Sequence, residues 1–246
     1  VAITLETDLP DHPRVALVTI DRQERRNAID HTSLEELDAA VAEAVDGGAR
    51  ALVFTGAGGH FCAGADLKEL EDVAFTRRLA EVLASLSTVP LTTIAAISGS
   101  CMGLGMQLAV ACDLRVVEDG ARFAVPVAKL GLMVDHWTID RVARFFGEGA
   151  ARHMALTAAV LDADDAWRLG FAQVRGGLDD ALALADRAVP LAPLSQAGSK
   201  IGFDTPAGSP EVARYEEAFA RAWASEDLVE GRRAFTERRA PEFRGR

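Results

Sequence analysis

The feature that most constrains this chain is a change of rhythm near residue 136. Before it, short β-rich runs alternate with runs that repeat apolar residues at helical spacing; after it, only helical patterns remain. "RVALVTI" (14–20) and "RALVFTG" (50–56) read as strands, and "SLEELDAAVAEAV" (33–45) between them reads as a helix. Ser33 stands three residues before Glu36, which predicts a capping box, and Gly47-Gly48 predicts a stop. "LTTIAAISG" (91–99) is another strand, preceded by a helical pattern near 73–86 and by Pro90. "GMQLAVACD" then reads as a helix and "LRVVED" (114–119) as the next strand. The alternation predicts an α/β fold with a largely parallel sheet. Downstream, "DRVARFFGEGAARHMALTAAV", "DADDAWRLG", "DALALADRAVPLAP" and "PEVARYEEAFARAWASED" predict a helical region, with "GFDTPAGSP" (202–210) as a polar loop.

A chain of 246 residues, 49% hydrophobic, can bury a sizeable core. Its net charge of −11 argues against broad attraction to nucleic acid or an anionic membrane face, though not against a local basic patch. Cys62, Cys101 and Cys112 are odd in number and lack C-x-x-C spacing, so reduced thiols, no metal site and a cytoplasmic location are expected. No signal peptide is read, and no apolar run reaches the roughly 18 residues of a membrane span.

Two glycine-rich turns lead from strands toward helices: "TGAGGHFCAGADLKEL" (55–70) and "SGSCMGLGMQLAV" (98–110). Neither carries a Walker lysine and serine, and "GSCMGLG" lacks the context of a dinucleotide fingerprint. Two readings stay open on spacing alone. The glycines permit tight turns and nothing more, or the turns converge two backbone N–H donors on one oxygen, as stabilisation of an enolate requires.

"ERRNAID" (24–30), "HFCAGADLKEL" (60–70), "ISGSCMGLGMQLAVACDLRVVEDGARFAVP" (97–126) and "EGRRAFTERRAPEFRG" together resemble the enoyl-CoA hydratase/isomerase, or crotonase, superfamily, in register over essentially the whole chain. The resemblance implies a crotonase (ClpP-like) spiral of ββα units, with residues 1–190 as core and 191–246 as a C-terminal helical trimerisation region that contributes to the CoA site. It implies an acyl-CoA ligand, no further cofactor, and assembly as a homotrimer or hexamer. It places the thioester oxygen between the N–H groups of Ala65 and Leu104, the latter at a helix start where the macrodipole favours negative charge. Adenine and pantetheine contacts fall on Ala63, Ala65, Asp66 and Leu67, Arg25 matches a basic residue that approaches the CoA phosphates, and Arg238 matches a C-terminal lysine that can reach CoA, sometimes from a neighbouring subunit. Apart from the resemblance, both arginines read as solvated surface charges.

Hydration needs two proton-transfer groups, and the resemblance puts the family's two glutamates at Gln107 and Val127. An amide can hold a water or polar group but cannot take a proton near neutral pH; a valine does neither. The chain thus resembles actinobacterial paralogues that lack both glutamates, and the expectation is an acyl-CoA or enoyl-CoA binding protein with little hydratase activity and partners among lipid-synthesis enzymes. A weak hydratase is the further alternative. Asp135, in "LGLMVDHW" (130–137), matches the catalytic aspartate of some isomerases, where one base suffices for a double-bond shift; it also reads as the cap of a helix starting near Thr138. His136 is a weaker candidate base. The cysteines read as packed thiols, Asp113 as an anchor of its strand, and Trp137, Trp167 and Trp223 as core or subunit-contact residues.

Overall fold

The two first-read strands are apolar almost without interruption because both of their faces are covered. The computed structural model describes residues 1–69, 72–206 and 208–246. Its elements run β1 (Ile3–Glu6), β2 (Val15–Ile20), α1 (His31–Asp46), β3 (Ala51–Gly56), α2 (Val73–Thr88), β4 (Thr92–Ile97), β5 (Ser100–Met102), α3 (Leu104–Ala111), β6 (Leu114–Val117) and β7 (Arg122–Ala124). There follow α4 (His136–Phe146), α5 (Glu148–Thr157), β8 (Leu161–Asp162), α6 (Ala163–Arg168), β9 (Val174–Arg175), α7 (Leu178–Ala188), α8 (Pro193–Asp204), α9 (Val212–Trp223) and α10 (Glu226–Glu237).

Six strands form one sheet in the order β1-β2-β3-β4-β6-β9, parallel except for the β1-β2 pair. β5, β7 and β8 form a second, smaller sheet. Alternation along each strand divides the core. Val15, Leu17, Val53, Ile94 and Val116 face α7, whereas Ala16, Val18, Leu52, Phe54 and Ile97 face the main core shared with α1, α2 and α3. Phe123, Phe146 and Phe171 join the small sheet to α4, with the last two rings stacked at 4.0 Å. Arg115 is buried beside them and donates to the carbonyls of Phe171 and Cys112 at 2.8 and 3.0 Å. Burial pushes its guanidinium down to about 10, so it remains charged at neutral pH.

Some expectations need correction. No capping box forms at Ser33: the N-cap of α1 is Asp30, whose carboxylate accepts the Ser33 amide at 2.8 Å, while Glu36 accepts the amides of Ala2 and Ile3. The 202–210 loop is shorter than read, because α8 continues through Asp204; Ala207 lies outside the described residues, as does Leu70 of the first glycine-rich turn. Trp167 and Trp223 are 46% and 64% exposed and so are not core. Asp113 does anchor its strand, accepting the Thr93 amide and hydroxyl at 2.8 and 2.9 Å. All three cysteines are free and buried. Among the described residues no helix is long and apolar enough to cross a membrane.

Candidate functional site

The two glycine-rich turns meet. Cys62 donates its amide to Ser100 O at 2.9 Å, Met102 returns one to Cys62 O at 3.0 Å, and the Ser100 amide donates to His60 Nδ1 at 3.1 Å. Asn27, fully buried within "ERRNAID", pins the first turn by donating to the carbonyls of Ala57 and His60. The contact is so close that a Cβ at Gly105 would lie 2.2 Å from Cys62 O. Gly103, at φ +52°, turns the chain directly into α3.

At this junction lies a cavity of about 270 Å³. The turns supply Ala63, Gly64 and Ala65 to its wall, α3 supplies Leu104 and Gln107, α2 supplies Phe75, Leu79 and Leu83, and the segment from Pro126 to Asp135 closes it. The amides of Ala65 and Leu104 take no part in the backbone hydrogen bonds that tie these loops together. As the first residue of its helix, Leu104 has no intrahelical acceptor for its N–H. Among the described residues, these two donors have no acceptor, and both residues line a largely apolar space.

Gln107 is 8% exposed and donates Nε2 to Oγ1 of the fully buried Thr138 at 2.8 Å. Thr138 lies in the first turn of α4, and its own amide donates to Asp135 Oδ1 at 2.9 Å. Asp135 is therefore the N-cap of α4, a helix that starts at His136, two residues earlier than read. It also lines the cavity, as does Val127. His136 is exposed and does not line it.

The sequence-predicted residues thus divide. Ala63, Ala65, Leu104, Gln107, Val127 and Asp135 come together on one cavity. Asp66 does not: its carboxylate turns inward to Arg22, at 3.4 Å, beside the stronger Arg22–Asp30 pair at 2.8 Å. The Leu67 side chain lies outside what is described. Arg25 is exposed on a short 3-10 turn and Arg238 is the exposed C-cap of α10; neither lines the cavity. Sequence reading passed over Glu69, which among the described residues is the cavity's other carboxylate besides Asp135.

The family model described as "Enoyl-CoA hydratase/isomerase" matches residues 12–246. "Probable enoyl-CoA hydratase echA6" of Mycobacterium tuberculosis is 41% identical over 233 residues, covering 94% of this chain and 96% of that protein. "Probable enoyl-CoA hydratase echA8" of the same organism is 32% identical, covering 98% and 99%. Among solved structures, Pseudomonas aeruginosa DspI superposes with a TM-score of 0.88 at 31% identity, covering 99% of this chain and 97% of that one. A probable enoyl-CoA hydratase/isomerase from Mycobacterium abscessus gives 0.86 at 32% identity, covering 100% and 99%. The α/β body with its C-terminal helices is the crotonase fold, and the chain belongs to the enoyl-CoA hydratase/isomerase family.

Proposed function

We propose that this chain binds an acyl-CoA or enoyl-CoA thioester and hydrates it poorly or not at all. The reading rests on one juxtaposition: the amides of Ala65 and Leu104 border a cavity that Gln107 and Val127 also line, at the two positions matching the family's glutamates. Two N–H donors suit the oxygen of a polarised thioester carbonyl. Hydration also needs a group that activates water at Cβ and one that protonates Cα, each worth typically about 10²–10⁴-fold. Neither an amide nor a valine transfers a proton there. Arg25 contributes from outside the cavity toward the CoA phosphates, Arg238 reaches CoA from the C-terminal region of its own or a neighbouring subunit, and Asp66 and Leu67 contribute through the backbone of their loop. Residues 191–246 complete the CoA site and subunit contacts in a trimer or hexamer in the cytoplasm, and the bound thioester passes to lipid-synthesis enzymes.

The test is titration of the protein with saturated, 2-enoyl and 3-enoyl CoA thioesters by calorimetry, followed by mass analysis of the ligand after each titration. Binding with the ligand unchanged is expected. Hydration of crotonyl-CoA at rates ordinary for the family would overturn the proposal.

A second reading, isomerisation, is favoured by the position of Asp135 on the cavity wall. One oxygen of its carboxylate is committed to the Thr138 amide, which leaves the other to take a proton from C2 of a 3-enoyl thioester and return it at C4. Charge would collect on the thioester oxygen in between. Asp135→Asn keeps the cap and removes the base, so unchanged double-bond migration in that variant would dismiss this role.

A further inference from the structure

A second apolar hollow, of about 370 Å³, lies between α4 and α5 and shares a wall with the thioester cavity. Val134 lines both spaces. Two chain segments cross from one to the other: Val125 faces the hollow while Pro126 and Val127 face the cavity, and Asp135 faces the cavity while His136 faces the hollow. The two spaces are thus neighbours along both sides of one partition.

The hollow's floor is Val125, Val142 and Ala151, all buried. Its rim charges are largely spent on one another or on neighbours: Glu148 pairs with Arg152 at 2.7 Å and Asp140 with Arg144 at 2.9 Å. Large apolar side chains that line the two spaces stand open to solvent. Met133 at the cavity mouth is 88% exposed, and Ile139 and Leu156 on the hollow are 42% and 73% exposed. Exposed apolar side chains around a hollow whose rim charges are paired mark a surface that a nonpolar group covers.

We infer that the hollow between α4 and α5 receives the distal part of a long acyl chain whose thioester lies in the first cavity, the chain passing over Val134. The inference rests on the thioester reading above. It makes the ligand a medium- or long-chain acyl or enoyl thioester. A short chain ends in the first cavity; a longer one crosses the partition and removes apolar surface from water on both sides.

The experiment is calorimetric titration with butyryl-, octanoyl-, lauroyl- and palmitoyl-CoA, on the parent protein and on Ile139→Glu and Leu156→Glu. Both substituted positions are exposed, so the fold tolerates the change. Each methylene taken out of water tightens binding by about fourfold at most. The parent should therefore keep gaining affinity beyond octanoyl, by tenfold or more in total, and both variants should lose that gain while binding butyryl-CoA as the parent does. An affinity that levels off at octanoyl in the parent, or a chain-length dependence untouched in both variants, overturns the inference while leaving the thioester reading intact. Failure of the parent to bind butyryl-CoA and palmitoyl-CoA alike overturns the thioester reading itself. Should Ile139→Glu break an assembly seen by sedimentation yet leave palmitoyl-CoA affinity unchanged, the hollow is a contact between copies of this chain and the inference is wrong.

Discussion

Removing one methyl-sized hydroxyl from the core of α4 should cost more than its volume implies. Thr138 is fully buried, and its Oγ1 accepts Gln107 Nε2 at 2.8 Å. Thr138→Val preserves the branched shape and leaves the amide N–H without its partner. A hydrogen bond of this kind contributes about 1 kcal/mol net, and a stranded buried donor costs about 1–3 kcal/mol. Because Gln107 also borders the cavity, solvent can reach part of its amide, which places the expected loss toward the low end. For a chain of this length the corresponding fall in Tm is roughly 2–4 °C for each kcal/mol. Gln107→Leu removes the other partner, and the double variant should be more stable than the sum of the two single losses implies, with a coupling of about 0.5–3 kcal/mol. Urea denaturation followed by circular dichroism measures all four proteins, at one fixed concentration because assembly adds to apparent stability. If Thr138→Val lies within about 0.5 kcal/mol of the parent and the losses simply add, Gln107 is solvated in the cavity rather than held by α4, and the reasoning fails.

Other expectations follow from the same contacts. Asp135→Ala should lower stability by about 1 kcal/mol through loss of the α4 cap, whereas Asp135→Asn should change it by only a few tenths, both read from denaturation midpoints. Gly105→Ala would set a Cβ 2.2 Å from Cys62 O, forcing the two turns apart; soluble protein with parent-like butyryl-CoA affinity would contradict the close approach. Burial pushes the Cys62 and Cys112 thiols up from 9.0 to about 12, so they should resist alkylation in the folded protein and react once it is unfolded. The native state holds these protons where the unfolded chain releases them, so the thiols make stability fall as pH rises from about 9 toward 12 and have no such effect below that window. Gln107→Glu with Val127→Glu should raise crotonyl-CoA hydration by at least about 10²-fold over the parent, measured by loss of enoyl absorbance.

How far the sequence discloses this molecule depends on how many residues share a signal. β2, β3, β4 and β6 are apolar on both faces and bounded by turns, so they were visible as runs. β5, β7, β8 and β9 have two or three residues each, too few to show a period, and the packing of Phe123 of β7 on Phe146 and Phe171 is a tertiary contact with no local signal. The start of α1 was misread because two short polar residues three apart, Asp30 and Ser33, both fit a cap; the choice is made by Glu36, which the β1 end of the chain draws away. At the site, the motif glycines exposed the turns and Gln107. The walls contributed by Phe75 and Leu79 were legible only as one face of a helix, and Glu69 sits in a turn with no pattern to single it out.

The first turn of α4 ties these observations together. Asp135 caps it, Thr138 within it holds Gln107, and Arg141 one turn on donates to Val110 O of α3 at 3.1 Å and pairs with Asp204 of α8. α4 is therefore bound to α3 at two points and to the C-terminal helices at a third, and its N-cap Asp135 lines the cavity. A residue held in this way is well placed to fix the shape of a binding site. It is poorly placed to swing toward a substrate, since moving Gln107 breaks its bond to Thr138. If the chain is a binder, this rigidity should show as slow amide exchange of the α3 and α4 residues without ligand, changing little when acyl-CoA is added. An α4 that exchanges freely until acyl-CoA binds would mean that the site is assembled by its ligand, and Asp135 would then be free to approach the reacting carbons as a base.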